Sequence, residues 1–326
     1  MKTTTIATGL TLIAAAASAE PLTVYAPDYF GSEWGPGPAI KAAFEAECEC
    51  EIEYVIGDLL PRLRLEGDRT PADVVIGLNI DDAERARQIG IFAPHNVTFG
   101  ELTMPVEWTD DVFLPYDWAY AAFIYDATKI TEVPETFAAF LEMDDDIRIA
   151  VQDPRASASG LDLALWIHSV FGEEGATDAW AALAPRIATV TKGWSEAYGL
   201  FTEGEVDMVF SYATSPTYHI IAEGDDTKKA ILFEEGHYVT VETAAQVAAT
   251  DQPELAQAFM DFILTEGFQS IIPEGNWSMP ANLPFEQLPE GFQTLPLPET
   301  ALTYTAPEAE ALRDTVVGQF EAGLRN

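Results

Sequence analysis

Aromatic side chains are concentrated in residues 191–219, TKGWSEAYGLFTEGEVDMVFSYATSPTYH, which read as loop, helix, buried strand and loop. The run VDMVF is short, apolar and rich in valine, which is typical of a strand covered on both faces. Trp194, Tyr212 and Tyr218 lie near the ends of these elements. Ring faces attract positive charge, so such a set suits a flat organic cation. Any one ring alone is better explained as core, but the loop-borne set together predicts a ligand site.

Two polar segments are further candidates for ligand contacts. The sequence DPRASASG, residues 153–160, lies between a predicted strand and a predicted helix, where N–H groups and serine hydroxyls suit a phosphate. Ordinary helix capping by Ser157 or Ser159 is the alternative. Gly57 and Asp58 also end a strand and open a helix, and Asp58 is a good N-cap residue.

The order of predicted elements explains how these segments could meet. Strands at 22–25, 51–56 and 73–78 alternate with helices at 36–48, 59–66 and 81–89. Strands at 148–152, 188–191 and 206–212 alternate with helices at 160–171, 176–184 and after 194. This alternation predicts doubly wound parallel sheets. Ligands of such sheets bind beyond the carboxyl ends of the strands, where the aromatic and polar segments lie.

Two long extended segments, residues 113–126 and 237–247, interrupt the alternation and read as crossovers between two lobes. The predicted fold class is α/β, with two doubly wound sheets joined by two crossover strands and a ligand cleft between them. We expect lobe 1 at 20–115 and 240–281, and lobe 2 at 116–239 and 282–326. A helix is predicted at 253–264, followed by a proline-rich, irregular stretch at 273–307. Thr305 and Glu308 have the spacing of a capping box at the start of a last helix.

The N-terminus and the composition exclude several classes of function. Lys2, an apolar stretch at 6–17 and a small-x-small motif at 17–19 predict a signal peptide over residues 1–19, and hence export to the periplasm. The chain has 54 acidic and 16 basic residues and a formal charge of −38, which becomes −39 when Lys2 is removed. Such a chain is not expected to bind nucleic acid or an anionic membrane surface. The 307 residues after the signal suit two lobes better than one core.

The sequence predicts no catalytic residue, no metal site and no cofactor. Cys48 and Cys50 form a lone C-x-C, for which a local disulfide and two buried thiols both remain open. The four histidines are scattered along the chain. Residues 193–197, GWSEA, lack the second glycine of a G-x-S-x-G nucleophile elbow. Glu242 and Asp207 are two acidic candidates for the cleft.

The chain resembles a known family along most of its length. Four segments carry the resemblance, in order between about Leu22 and Trp277: WGPGPAIKAAFEAECECE, QDPRASASGL, residues 191–219 and EGNW. These segments and their order resemble those of the thiamine-binding periplasmic proteins, the substrate-binding subunits of thiamine ABC transporters. That family has the type II periplasmic-binding-protein fold. The resemblance implies a monomer that captures thiamine, with thiamine phosphates as further candidates, and delivers it to an inner-membrane ABC permease without catalysing a reaction.

The resemblance also implies ligand contacts at particular residues. Aromatic positions that the family uses around the vitamin match Trp194, Tyr212, Tyr218, Trp277 and Trp34. For Trp34, a lid over the first helix is the alternative. Ser157 matches a family serine that touches the ligand, and Gly57 and Asp58 match an acidic-Gly loop that is several residues shorter here. Pro27 stands where relatives have a tyrosine, and Tyr29 is the candidate to fill that space.

Two other functions are known on this fold. An enzyme resembling thiaminase I would need a cysteine nucleophile in the cleft, whereas Cys48 and Cys50 lie outside the predicted cleft. A ferric-ion-binding transport protein would use adjacent tyrosines as iron ligands, whereas Tyr212 and Tyr218 are not adjacent. Both remain alternatives to thiamine transport.

Overall fold

The computed structural model describes residues 20–48, 50–144 and 146–325, so the predicted signal peptide lies outside the described residues. The strands are β1 (Leu22–Ala26), β2 (Ile52–Ile56), β3 (Val74–Asn79), β4 (Leu114–Asp126), β5 (Ile149–Gln152), β6 (Ile187–Thr191), β7 (Met208–Tyr212), β8 (Lys228–Ala230), β9 (His237–Gln246), β10 (Met279–Pro280) and β11 (Ala301–Leu302). The helices are α1 (Asp28–Gly31), α2 (Gly37–Cys48), α3 (Leu59–Glu66), α4 (Ile80–Arg87), α5 (Phe137–Leu141), α6 (Ala158–Leu183), α7 (Trp194–Thr202), α8 (Pro216–Tyr218), α9 (Pro253–Ile263), α10 (Glu266–Gln269), α11 (Ile272–Gly275), α12 (Glu290–Gln293) and α13 (Ala306–Gly323).

The strands follow the order β2-β1-β3-β9-β4-β7-β5-β6. In one half, strands β1, β2 and β3 run parallel to one another. In the other half, strands β5, β6 and β7 do the same. The two long strands β4 and β9 run antiparallel to each other and carry the chain between the halves. The first part of β4 pairs with β9, and from Ala121 onward it pairs with β7. The predicted α/β class with two crossover strands is confirmed, and the pairing of the crossovers makes the two sheets continuous.

Most predicted elements appear within one or two residues of their expected bounds, because their apolar patterns are regular. The two helices predicted at 160–171 and 176–184 form one element, α6, which breaks at Gly172 with a φ of 72°. The last helix begins with the expected capping box between Thr305 and Glu308. The prediction lacked α1, α5, α8 and β8, and residues 273–307 contain several short elements instead of being wholly irregular.

Each half of the molecule has its own buried aromatic core. Phe30, Phe44 and Phe259 belong to the core beside β1 and β3, whereas Phe123 and Trp166 belong to the core beside β5 and β7. Burial of such rings is a large favourable term in folding. The long helix α13 packs against both α6 and α4, so it bridges the two halves.

Cys48 and Cys50 form a disulfide at the end of α2, which decides between the two states that the sequence left open. Across residues 20–325, apart from the two omitted positions, no helix is both long and apolar enough to cross a membrane.

Candidate functional site

The carboxyl ends of the parallel strands from both halves meet at one cleft. Strand β3 ends at Asn79, which pairs with Glu242 of β9, and β7 ends at Tyr212, which pairs with Ala121 of β4. The loops that follow β2, β5 and β6 carry Gly57 and Asp58, Ser157, and Trp194. Because carboxyl ends of parallel strands lie at one edge of a sheet, these segments lie toward the same edge.

Trp194 is the first residue of α7 and is half-buried. Its indole N–H donates a hydrogen bond to Ser211 Oγ at 2.8 Å, and its ring stacks on Tyr198 with centroids 4.8 Å apart. Ser211 precedes Tyr212 at the end of β7, so this bond ties the helix start to the strand end. The Tyr212 hydroxyl donates to Asp162 Oδ2 at 3.3 Å.

The ring contacts continue from Trp194 to Trp277. The ring of Tyr198 stacks on that of His219. The Tyr198 hydroxyl and His219 Nε2 share a hydrogen bond of 3.0 Å. His219 meets the edge of Tyr218, and Tyr218 meets Trp277 in a T-shaped contact with centroids 5.2 Å apart. We call these five rings the aromatic row. It runs from the half that contains β7 to the segment beside β10, and therefore links the two halves across the cleft.

Trp277 holds an unusual backbone conformation. Its φ is 54°, in the left-handed region that bulky residues rarely adopt. Strained residues of this kind persist where the surrounding structure fixes them, and they cluster at ligand sites. The neighbouring Asn276 is fixed by hydrogen bonds to Asp117 Oδ2 and Glu242 Oε2.

The remaining predicted residues differ in their placement. Ser157 is the N-cap residue of α6, but its hydroxyl bonds Ser159 Oγ at 2.8 Å and does not cap the helix. Asp58 is the N-cap residue of α3, is exposed, and makes no side-chain cap. Trp34 is 60% exposed and joins none of the ring contacts found among the described residues.

Two pairs of carboxyl groups lie at the floor of the cleft, and sequence reasoning anticipated only one member, Glu242. In the first pair, Asp81 of α4 and Asp162 of α6 are completely buried, and the charge of Asp81 acts on Asp162. The Tyr238 hydroxyl donates to Asp81 Oδ1 at 2.7 Å. Burial raises the pKa of Asp81 to about 6. Burial, together with the Asp81 charge, raises the pKa of Asp162 well above its ordinary value.

The second pair consists of Asp117 on β4 and Glu242 on β9. The Glu242 carboxylate accepts hydrogen bonds from Tyr29, from Tyr116 at 2.7 Å and from Asn276 at 2.9 Å. Burial, followed by the charge of Glu242, raises the pKa of Asp117 well above its ordinary value. Asp207, the other acidic candidate, lies before β7 and accepts a hydrogen bond from Arg148 N, away from the carboxyl ends of the strands. The expectation for Asp207 is therefore wrong.

Tyr29, the candidate for the space at which Pro27 replaces a tyrosine, donates a hydrogen bond from its hydroxyl to Glu242. Burial, followed by the charges of Asp162 and Glu242, raises the pKa of Tyr212 well above its usual range. Both tyrosines therefore stay neutral donors at physiological pH. Of the four members, only Asp81 lies in a helix first turn, whereas Asp162 lies further along α6 and Asp117 and Glu242 lie inside the long strands β4 and β9.

Comparison with known proteins agrees with this architecture. Residues 32–270 match the family model described as bacterial extracellular solute-binding protein. The thiamine-binding periplasmic protein of Escherichia coli (strain K12) is 46% identical over 308 residues, which is 93% of each chain. That of Haemophilus influenzae (strain ATCC 51907 / DSM 11121 / KW20 / Rd) is 41% identical over 286 residues, 86% of each.

Solved structures give the same picture. A structure titled periplasmic thiamin binding protein has a TM-score of 0.89 and 44% identity, and the match covers 97% of this chain and 99% of that one. The ferric binding protein from Campylobacter jejuni has a TM-score of 0.75 at 16% identity, covering 93% and 99%, which shows a shared fold alone. The match over most of the sequence and the common fold show that this chain belongs to the thiamine-binding periplasmic proteins, within the bacterial extracellular solute-binding protein family.

Proposed function

We propose that this protein captures thiamine in the periplasm and presents it to an inner-membrane ABC permease. The observation that carries the proposal is the aromatic row, which reaches from Trp194 to Trp277 beside the carboxyl ends of the strands. Thiamine has a flat aminopyrimidine and a permanently cationic thiazolium ring. Both rings stack on aromatic faces, and the cation gains about 0.5–2 kcal/mol per contact. Thiamine phosphates are further candidate ligands, with Ser157 at the start of α6 as the contact.

In the proposed site, Trp194, Tyr212, Tyr218 and Trp277 enclose the rings of the vitamin. Gly57, Asp58 and Trp34 belong, with Trp277, to the proposed lobe 1 and would contact the ligand when the lobes close, a hinge motion common in such proteins. We place lobe 1 at 20–115 and 240–281 and lobe 2 at 116–239 and 282–326. The predicted signal peptide and the names of the relatives support a periplasmic location, and we propose that the protein acts there as a monomer.

A catalytic role is less well supported. Thiaminase-like chemistry needs a cysteine thiolate, but Cys48 and Cys50 are joined in a disulfide at the end of α2. Iron binding would need tyrosine oxygens free to ligate, whereas the Tyr212 hydroxyl is bonded to Asp162 and its pKa is raised well above its usual range. Transport by a non-catalytic receptor therefore accounts best for the site.

Alanine substitution of the cleft rings tests this function. Trp194→Ala, Tyr212→Ala and Trp277→Ala should each weaken thiamine binding by about 1–3 kcal/mol, or roughly ten- to a hundredfold, because each removes stacking beside a cation. Tryptophan fluorescence should report binding directly, since thiamine should quench two of these rings. The measurement is a fluorescence titration of wild type and the three folded variants with thiamine.

Trp180→Phe is the matched control for a lost tryptophan. Trp180 lies near the far end of α6 against Phe320, and its buried indole N–H has no hydrogen-bond partner among the described residues. Its replacement should leave the affinity within about threefold of wild type. The proposal is falsified if wild type does not bind thiamine, or if all three cleft variants bind it as wild type does.

A further inference from the structure

The Asp117–Glu242 pair lies beside the carboxyl end of β3, where Glu242 pairs with Asn79. All three hydrogen bonds to Glu242 are donated to it, by two tyrosine hydroxyls and one amide. This is the environment of a carboxylate, which only accepts hydrogen bonds. Asp117 is 1% exposed, and burial, followed by the charge of Glu242, raises its pKa well above its ordinary value. The hydrogen bonds to Glu242 thus suit a carboxylate, whereas the surroundings of Asp117 favour its neutral form.

One atom of the pair is left without a donor. Asp117 Oδ2 accepts a hydrogen bond from Asn276, but the buried Asp117 Oδ1 has no partner among the N–H and hydroxyl groups of the described residues. Isolated charge and unpaired polar atoms are costly in a buried setting. A cation brought close to the pair would compensate for that cost.

The pair is also next to the aromatic residues of the site. Asn276 bonds to both carboxyl groups and directly precedes Trp277. Burial is the largest cause of the raised pKa values of Tyr212 and Tyr29, and the charge of Glu242 contributes to both. Through Asn276, Glu242 is thus linked to the segment that carries Trp277 at one end of the aromatic row.

Asp58 is the other acidic group in the proposed site, but its environment differs. It is exposed, so water screens its charge, whereas Glu242 is partly buried and fixed by three donors. The same charge attracts a cation more strongly where the surroundings are less polar. Glu242 is therefore the better source of selectivity for charge.

Building on the proposed function, we infer that Glu242 is the residue that selects a cationic ligand over an uncharged one of the same shape, with Asp117 as its neutral positioning partner. The ligand class is a flat aromatic cation whose positive ring stacks in the cleft above Glu242. Tyr29, Tyr116 and Asn276 hold the carboxylate in place for that contact.

The test compares thiamine with deazathiamine, in which an uncharged thiophene replaces the thiazolium ring. By calorimetry, wild type should bind thiamine at least about tenfold more tightly than deazathiamine. In Glu242→Gln the preference should shrink to within about threefold, through loss of thiamine affinity, while deazathiamine affinity changes little. Glu242→Asp, which keeps the charge, should keep the preference.

Controls separate this effect from general loss of charge. Glu174→Gln removes one exposed carboxylate toward the far end of α6 and should keep the wild-type preference. If Glu242→Gln does not fold, the double variant Asp117→Asn with Glu242→Gln replaces both buried acids by amides, and it should show the same loss of preference.

The outcomes distinguish the two proposals. Failure of wild type to bind thiamine would reject the proposed function itself. Equal binding of thiamine and deazathiamine by wild type would leave thiamine binding intact but overturn the role of Glu242. The role of Glu242 would also be overturned if the preference for thiamine survived in the neutral double variant. It would be overturned as well if the preference were lost in Asp58→Asn but kept in Glu242→Gln.

Discussion

Asp81 and Asp162 illustrate at the scale of single residues how burial changes the behaviour of a carboxyl group. Both are completely buried, and a tyrosine hydroxyl donates a hydrogen bond to each of them. Burial raises the pKa of both groups, and the charge of Asp81 raises that of Asp162 further, so their neutral forms are favoured over two buried charges. Asp82, Arg313 and the helix α13 surround the pair on the side away from the cleft.

This pair predicts a pH dependence of stability in the absence of ligand. The folded pKa of Asp81, about 6, exceeds the value near 3.9 of an unfolded aspartate. The folded protein therefore holds the proton more tightly than the unfolded chain. The resulting stability is present below about pH 4 and is lost as the pH rises through about 6. The unfolding free energy, measured by urea denaturation, should fall by about 1–3 kcal/mol from pH 4.5 to pH 7.5.

Asp162→Asn is the variant that isolates this effect. Its amide can donate to Asp81 without a proton, so the unfolding free energy should vary less with pH than in wild type and should be higher at pH 7.5. An equally steep pH profile in this variant would assign the dependence to other groups.

At the scale of elements, the start of α6 is the feature that combines structure with a candidate role. Gly160 is required there, because a Cβ atom would lie 2.6 Å from the Asp153 carbonyl carbon. The loop from β5 thus passes close against the helix. Since Ser157 Oγ does not cap α6, the first N–H groups of the helix retain the capacity to bind an anion.

Ser157→Ala should therefore weaken the binding of thiamine monophosphate more than that of thiamine, by about three- to tenfold, since a hydroxyl hydrogen bond to a charged group is lost. Calorimetry with both ligands provides the measurement, and thiamine serves as the internal control. If thiamine phosphates bind far more weakly than thiamine to wild type, the start of α6 has only a structural role.

At the scale of the whole molecule, two strands and one helix connect the halves. Strands β4 and β9 change partners where they pass from one half to the other, and α13 packs on both sides through α4 and α6. Arg313 of α13 donates hydrogen bonds to Asp81 O and Asp82 Oδ1, and so holds the helix to the floor of the cleft. A hinge at β4 and β9 would open the cleft without unfolding either core.

The net charge also acts on the whole molecule. With 54 acidic and 16 basic residues, self-repulsion opposes the compact state. Sodium chloride screens charges beyond about 8–10 Å at moderate ionic strength. We expect the melting temperature of the ligand-free protein to rise between low and high sodium chloride. A melting temperature that stays flat or falls would contradict this, and the uncharged osmolyte sucrose at matched osmolality controls for general solvent effects.

The sequence by itself determined most of the elements and the class of fold. Regular patterns fixed β1, α3 and α9 to within a residue or so, and the spacing of Thr305 and Glu308 fixed the start of α13, because these signals depend on neighbours in the chain. The concentration of rings between residues 191 and 219 also pointed to the segment that lies at the cleft. Short elements such as α1 and β8 were missed because a few residues carry too little periodicity.

Only the tertiary structure decided which acids are buried and which rings touch. Asp81 is one of two acidic residues in the first turn of α4, and nothing nearby in the sequence distinguishes it from Asp82. Its partner Asp162 lies in α6, 81 residues further along the chain, just as Glu242 meets Tyr116 from 126 residues away. Burial and carboxyl pairing depend on contacts between distant segments, which local patterns do not encode. The charge under the cleft, and with it the proposed selectivity for a cation, is therefore a property of the folded chain.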